Sequence, residues 1–396
     1  MVSDFNFLLQ SMAWPLVLLL AWFVGERLHE LWLIPRVSSY VAVGLLGGLL
    51  NLPGLTGAVP GLPFLANVAL SLVLFELGYR INLRWFWHNP WVAAVGVLES
   101  LITFTLIYLT CHSFGLTQDA SLVIAALSIA ASPAGIVRVA NELRSVGQVT
   151  ERVLHLCAIN CILSVLALKL VIGYWHLSIS ADLALAAFGS IHVLLTSVGI
   201  GALLGVATPM LLRQRAAQER AVTVVFALAV LLLTTMAYGL KLSPLLAALI
   251  FGIVARSRRV HLTNAQRDFG TIGDLLAVFL FVYIASLINW ADLATGIVLG
   301  LVLIAVRTLS KVACNVAVAR LSGITERKGL MTGLALTPMS VFAILLLEQS
   351  RLLGFDPAAQ VLSVMAAMLL LQELLGPVLT QRALMAARET HVTRQA

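Results

Sequence analysis

Almost the whole chain consists of apolar stretches of about 20 residues, separated by short polar segments. Stretches of this length are long enough to cross the hydrocarbon core of a bilayer as α-helices. The composition agrees, since 60% of the 396 residues are hydrophobic and only 11% are charged, whereas a soluble domain carries about 25% charged residues. The sequence therefore predicts an all-α polytopic membrane protein that forms one transmembrane unit (1–396) without a soluble domain.

The length rule places about thirteen membrane spans along the chain. The predicted spans are 8–28, 36–51, 64–82, 90–112, 118–142, 152–174, 185–211, 219–239, 243–256, 272–289, 294–320, 328–350 and 357–381. Six spans precede the seventh and six follow it, so the two sets have opposite orientations. We expect an inverted repeat, with 1–175 as its first half, 185–211 as a linker helix and 219–385 as its second half.

Basic residues fall on one side of this topology. Of the 25 Lys and Arg residues, twenty lie in one set of alternate loops or at the span ends beside them, two lie in the other set, and three lie further inside spans. Basic residues collect in cytoplasmic loops, so we expect the N-terminus outside and the C-terminus in the cytoplasm, in a bacterial inner membrane. The same rule explains the net charge of +7 without a nucleic-acid partner. The first apolar stretch lacks a basic leader and is predicted to be a retained span.

Two spans are interrupted in the middle by a polar residue followed by proline. Ser132-Pro133 breaks the fifth span of the first half, and Thr337-Pro338 breaks the fifth span of the second half. Irregular backbone is tolerated inside a bilayer only where protein or water surrounds it, and matched breaks of this kind point to the binding site of a secondary transporter. Ser132 and Thr337 are predicted to cap the half-helices that follow, with Pro133 and Pro338 in the first turns.

The half-helix ends carry partial charges, so a crossing of the two breaks requires side chains or an ion of opposite charge. Ionisable residues within spans are costly and functional by default. Three glutamates lie clear of the span ends, and Glu76 and Glu99 are the stronger candidates; the third is Glu373. Arg307 and Lys311 lie one turn apart on the eleventh span. Lys169 lies near a span end, where its side chain is expected to reach the interface.

Several stretches resemble the monovalent cation:proton antiporter-2 superfamily, which includes sodium/proton exchangers and Kef-type potassium efflux proteins. The stretches are LWLIPRVSSYVAVGLLGGLL (31–50), LVLFELGYRINLR (72–84), AALSIAASPAGIVRVANEL (125–143), RTLSKVACNVAVARLSGITERKGL (307–330) and GLALTPMSVF (333–342). Their order and spacing cover nearly the whole chain.

The resemblance implies a sodium/proton antiporter fold, a homodimer, and a core domain that moves as an elevator against a dimerisation domain. It implies exchange of a monovalent cation (Na⁺ or K⁺) for protons, with membrane lipid as surroundings and no cofactor. Kef-type relatives often carry a nucleotide-binding regulatory domain, so comparable regulation here requires a separate partner chain.

The chain departs from the family at the ion site. Family members carry Asp-Asp or Asn-Asp in the span after the first break, but here the aligned residues are Asn160 and Cys161. Lys311 aligns with the lysine that pairs with the first acid in electrogenic members. The predicted site, made of Ser132, Asn160, Cys161, Lys311 and Thr337, therefore has a lysine but no carboxylate of its own.

Three hypotheses follow from this departure. The chain is an antiporter whose carboxylate has moved to Glu76 or Glu99; or it transports a different solute, such as an anion attracted by Lys311; or it is a transport-inactive sensor or partner subunit. A three-thiol metal site from Cys157, Cys161 and Cys314 is a minor alternative, and we predict no metal. No hydrolase motif is present, so we predict no enzyme.

Overall fold

The computed structural model describes residues 2–50, 61–180, 183–214, 219–258, 265–286, 290–339, 341–352 and 359–390. Every regular element in these ranges is an α-helix, as the composition predicts. The first eight helices are α1 (Val2–Trp32), α2 (Arg36–Leu49), α3 (Leu62–Arg80), α4 (Leu83–His88), α5 (Pro90–Ser113), α6 (Gln118–Ser128), α7 (Pro133–Glu142) and α8 (Gln148–Ser180). The others are α9 (Leu183–Gln214), α10 (Glu219–Gly239), α11 (Pro244–Ser257), α12 (Ala265–Ser286), α13 (Trp290–Ala317), α14 (Glu326–Ala335), α15 (Val341–Leu352) and α16 (Ala359–Ala386).

Eight helical stretches in the described ranges are long and apolar enough to cross a membrane. Three shorter apolar helices, Arg36–Leu49, Pro244–Ser257 and Leu275–Ser286, accompany them. The helix bounds lie within about five residues of the predicted spans, except that α1 begins earlier, α8 ends later and α12 begins earlier. The fold class is thus confirmed, whereas the division into mirrored halves stays a prediction.

Some helix ends follow directly from local sequence. Ser243 caps α11, since its hydroxyl accepts a hydrogen bond from the Leu246 amide and Pro244 is the first helical residue. Sequence reasoning did not predict the short helix α4, which Asn82 caps by accepting from the Arg84 and Trp85 amides. Local capping chemistry therefore sets both of these starts.

The helices pack as two groups. In the first group α3 lies against α11, α11 against α9, and α2 against α1 and α12; in the second, α13 lies against α16, α14 and α5, and α8 against α5 and α6. We call these the scaffold group and the crossing group. They meet where α8 contacts α9, where α16 contacts α2 and where α7 contacts α3. The crossing group holds both interrupted spans.

Candidate ion-binding site at the helix crossing

The two interrupted spans touch each other at their breaks. Residues 129–132 separate α6 from α7, and the described residues 336–339 lie between α14 and α15. The Ser132 amide donates a 2.8 Å hydrogen bond to the carbonyl oxygen of Pro338. Ser132 and Thr337 are both fully buried, so the irregular backbone of each break is enclosed by protein, as a membrane requires.

The capping prediction is correct at the first break. The Ser132 hydroxyl accepts a 3.1 Å hydrogen bond from the Gly135 amide, and Pro133 is the first residue of α7. The positive end of α7 therefore begins at the crossing.

The same prediction is wrong at the second break. The Thr337 hydroxyl donates a 2.7 Å hydrogen bond back to the Leu334 carbonyl, and α15 begins at Val341, so Pro338 lies outside its first turn. The physical reason is local: the Leu334 carbonyl, which accepts a 3.2 Å hydrogen bond from the Thr337 amide at the end of α14, also accepts from the hydroxyl of the same residue.

The Arg307 side chain lies at the crossing, beside the C-terminal ends of two helices. Its fully buried guanidinium donates to the carbonyls of Ser128 (Nε, 2.8 Å), Ala130 (Nη2, 2.6 Å) and Thr337 (Nη1), with a longer 3.5 Å contact to Pro338. Ser128 is the last residue of α6, and the other carbonyls lie just beyond the ends of α6 and α14, where the helix dipoles place partial negative charge. One side chain thus supplies donors to both breaks.

Lys311, one turn further along α13, forms an ion pair with Glu99 of α5. Both side chains are fully buried; the Lys311 ammonium contacts Glu99 Oε1 and also donates to the Ile129 carbonyl at 3.3 Å. The prediction that the site lacks a carboxylate is therefore wrong. The packing of α5 against α13 brings in a glutamate that lies 212 residues away in sequence.

Two amides complete the surroundings of Glu99. Asn160 Nδ2 donates to Glu99 Oε1 at 3.1 Å, and Asn315 Nδ2 donates to Glu99 Oε2 at 2.9 Å. The side-chain oxygen Oδ1 of Asn160 accepts from the Ser100 hydroxyl at 3.2 Å. Glu99 therefore has an ammonium and two amides as donors, an arrangement that lowers the cost of a buried carboxylate.

Cys161 lies beside the first break rather than at the carboxylate. Its thiol is 3.7 Å from the Ala131 carbonyl. The four cysteines are buried and unbridged. In the described part of the chain, no three or more His, Cys, Asp or Glu side chains group as a metal site, which removes the three-thiol alternative.

Glu76 lies elsewhere. It accepts hydrogen bonds of 3.0 Å from Arg80 and from Asn141, at the end of α7 that is remote from the break. Of the two candidate carboxylates, the structure thus brings only Glu99 to Asn160 and Lys311.

Sequence reasoning missed Asn315 and Ser100. Asn315 follows Lys311 by four residues, as Lys311 follows Arg307, so all three share one face of α13. This polar stripe in an apolar helix is a signal that identifies Asn315. Ser100 has no such signal, because its partner Asn160 lies on another helix.

The family of the chain follows from its sequence. A family model described as "Sodium/hydrogen exchanger, transmembrane" matches residues 16–386. The chain belongs to the sodium/hydrogen exchanger family. This confirms the resemblance to cation:proton antiporters and makes this exchanger a membrane-embedded secondary transporter of the cation:proton antiporter class.

Two solved structures share the exchanger's fold. Both are of the sodium proton antiporter MjNhaP1 from Methanocaldococcus jannaschii. The structure at pH 8 is 17% identical with a TM-score of 0.66, covering 97% of this chain and 96% of that one. An electron-microscopy structure is 15% identical with a TM-score of 0.63, covering 94% and 88%. No curated protein matches the chain in sequence.

Proposed function

We propose that this exchanger moves Na⁺ or K⁺ in exchange for protons and that Glu99 is the carboxylate of its central site. The observation that carries the proposal is the cluster of Lys311, Asn160 and Asn315 around Glu99. Family membership supports the reaction class, and MjNhaP1 supports sodium as one candidate cation.

Glu99 suits this role better than Cys161 does. Hard monovalent cations prefer oxygen ligands, whereas thiols suit soft metals. Glu99 also contacts both Asn160 and Lys311, which occupy family site positions, so it replaces the missing acid as the partner of the lysine. Cys161 instead faces the Ala131 carbonyl.

Competition between the cation and the proton for the Glu99 carboxylate accounts for their exchange. A cation that reaches the carboxylate must displace the Lys311 ammonium from it. A proton on Glu99 removes the negative charge that holds either one, because each attraction depends on the carboxylate being ionised. Cation and proton therefore exclude one another at the same oxygen atoms.

The anion hypothesis loses its basis in this arrangement. It depends on a buried Lys311 without a counter-charge, but Lys311 pairs with Glu99. Arg307 is held by carbonyl oxygens, which repel an approaching anion.

We also infer a homodimer with the N-terminus outside and the C-terminus in the cytoplasm of a bacterial inner membrane. The family resemblance supports the dimer, and the distribution of basic residues supports the orientation. Regulation by a separate partner chain remains part of this proposal.

Reconstituted vesicles test the function. Purified protein in liposomes that contain a pH-sensitive dye is given pulses of Na⁺, K⁺ or choline. We expect Na⁺ or K⁺, but not choline, to drive proton movement in wild type, and Glu99→Gln to abolish it. Glu30→Gln is the matched control, because Glu30 is an exposed carboxylate paired with Arg27.

A wild type that moves no protons with either cation overturns the proposal. In that case we measure the double variant Asn160→Asp, Cys161→Asp, which restores the family's acids. Its activity distinguishes a wild type that is itself inactive from a reconstitution that has failed. If the double variant moves protons and wild type does not, the result supports the sensor or partner-subunit hypothesis.

A further inference from the structure

The two oxygen atoms of the Glu99 carboxylate have different neighbours. Oε1 contacts the Lys311 ammonium and the Asn160 amide, whereas Oε2 accepts a 2.9 Å hydrogen bond from Nδ2 of Asn315. The ammonium also reaches the Ile129 carbonyl at the first break. In the proposed exchange, the cation therefore replaces the ammonium at Oε1, while Oε2 keeps its bond to Asn315.

The orientation of the Asn315 amide is fixed by two acceptors. Nδ2 of Asn315 donates 2.9 Å hydrogen bonds both to Glu99 Oε2 and to the backbone carbonyl of Lys311. An amide turned by half a rotation would place its oxygen atom against both of these oxygen atoms, and none of the three is a donor. The Lys311 carbonyl thus keeps Asn315 in the orientation that donates to Glu99.

The backbone of Asn315 is also held firmly. The residue is 6% exposed. Gly329 of α14 packs so closely on it that a Cβ atom added to Gly329 would lie 2.6 Å from the Asn315 carbonyl oxygen. The donor to Oε2 therefore comes from a packed helix, which fixes its geometry more precisely than a loop would.

A fixed donor favours the ionised form of Glu99 over the protonated form. In the described ranges, the three hydrogen-bond partners of the Glu99 carboxylate are all donors: Lys311, Asn160 and Asn315. A proton on either oxygen atom would face one of these donors and find no acceptor among them. Lys311 leaves when the cation arrives, and Asn160 shares Oε1 with the cation. Asn315 is thus the donor whose bond does not compete with the cation.

Other charged and titratable groups also act on Glu99 or on the lysine paired with it. They lie on α13 and α8 and are Arg307, Lys311, Cys314, Cys157 and Cys161. The helices α4 and α6 also pack on α5, and their titratable residues lie about two helical turns or more along the chain from Glu99 or the break; they are Arg84, His88 and Asp119. A substitution at Asn315 leaves all these groups in place, so a changed pH response reports the lost amide.

We propose that Asn315 is a positioning residue that biases the site toward the cation and against the proton, by holding Glu99 ionised while Lys311 is displaced. This inference rests on the proposed antiport and assigns the balance between the two substrates to a residue outside the family's acid and lysine positions. Without the amide, the site still binds both, but the proton competes more strongly. Exchange then requires a more alkaline medium.

Proton flux in vesicles, measured against Na⁺ and K⁺ concentration at several pH values, tests the proposal. The variant is Asn315→Leu, which is similar in size and lacks the donor, and the matched control is Ser310→Ala. Ser310 is a buried polar residue of the same helix. Its hydroxyl makes 2.8 Å hydrogen bonds with Thr103 and with the Arg307 carbonyl, not with Glu99.

We expect the midpoint of the flux–pH curve to rise by about one pH unit or more in Asn315→Leu, because a hydrogen bond to a charged group changes an equilibrium constant about tenfold or more. The half-saturating cation concentration should rise about tenfold in acidic medium and approach the wild-type value in alkaline medium. A merely structural defect would impair exchange at every pH, and Ser310→Ala should keep the wild-type midpoint. A wild-type midpoint in Asn315→Leu overturns this inference and leaves the antiport proposal intact.

Chemical labelling reports the protonation of Glu99 without transport. Dicyclohexylcarbodiimide modifies protonated carboxyls in apolar surroundings, and mass spectrometry locates the modified residue. In choline medium, half-maximal labelling of Glu99 should occur about one pH unit higher or more in Asn315→Leu than in wild type and in Ser310→Ala. Asn315→Ala, a smaller side chain, should shift it in the same direction and serves if the leucine variant does not fold.

The same labelling pH in wild type and in the Asn315 variants contradicts the inference. This comparison decides the matter even if wild type shows no proton flux, the outcome that would defeat the antiport proposal instead.

Discussion

The backbone amide of Ser132 donates a 2.8 Å hydrogen bond to the carbonyl of Pro338, joining two helix breaks that lie 206 residues apart. Each break would otherwise leave backbone groups without partners inside the membrane, at a cost of several kcal/mol each. The contact satisfies one group from each break, and Arg307 satisfies carbonyls from both. The following predictions test this arrangement and its surroundings.

Replacing Arg307 with methionine should destabilise the protein severely. The substitution removes the donors to the Ser128, Ala130 and Thr337 carbonyls, and each buried acceptor left without a donor costs about 1–3 kcal/mol. We expect a large loss of apparent melting temperature in detergent, measured by fluorescence-detected size exclusion after heating. Arg320→Met is the control, because Arg320 is 81% exposed. Equal melting temperatures for the two variants would show that the guanidinium does not hold the breaks.

The losses of stability caused by the single substitutions at Glu99 and Lys311 should not add up to the loss in the double variant. Removing one partner of a buried ion pair costs about 3–5 kcal/mol, because the other charge is left uncompensated. Lys311→Met should therefore destabilise the protein strongly, and Glu99→Gln, Lys311→Met together should recover part of the loss. Melting temperatures of wild type, both single variants and the double variant complete the cycle. Strictly additive losses would mean that the two charges are not coupled.

Gly201→Ala should destabilise the packing of α9 against α11, whereas Gly199→Ala should not. A Cβ atom at Gly201 would overlap the Ala247 carbonyl. Among the described residues, no atom outside the adjoining backbone of its own helix lies within 4 Å of a Cβ at Gly199. Overpacking of this kind costs about 1–3 kcal/mol. The two variants change the same helix by the same methyl group, so their difference in melting temperature isolates the contact. A loss of similar size in both would point to helix propensity or lipid contact instead.

Glu389→Ala should loosen the start of α8. The Glu389 carboxylate accepts hydrogen bonds from the Val149 amide at 2.9 Å and the Thr150 amide at 2.8 Å, and so caps the helix that carries Asn160. Loss of such a cap costs about 0.5–2 kcal/mol. Hydrogen exchange by mass spectrometry should show faster exchange of residues 148–152 in this variant. Glu326→Ala, which removes a partly exposed carboxylate, should leave these amides unchanged; the prediction fails if Glu389→Ala does so too.

The sequence predicted those features that depend on local chemistry. The apolar lengths placed the helices, Ser-Pro located the first break, and the serine hydroxyl caps α7 as expected. Like Ser132, Thr337 carries a hydroxyl and precedes a proline. Its hydroxyl nevertheless donates to a carbonyl of α14 instead of capping the next helix. Two local partners were available to it, and the sequence contains nothing that decides between them.

The partner of Lys311 depends on tertiary packing. Glu99 and Glu76 are both glutamates within apolar spans, and helix periodicity does not distinguish them. Only the contact of α5 with α13 places Glu99 beside the lysine, while Glu76 bonds to Arg80 and Asn141 instead. A relocated carboxylate was therefore one of several open hypotheses until the helices were arranged in space.

One guanidinium binds carbonyls on both sides of the crossing, and this limits how the protein can move. The two interrupted spans cannot slide past one another without separating the buried Arg307 guanidinium from its carbonyl acceptors. Any conformational cycle must therefore carry both spans as a single rigid body, with the flexing confined to the loops and contacts at its perimeter.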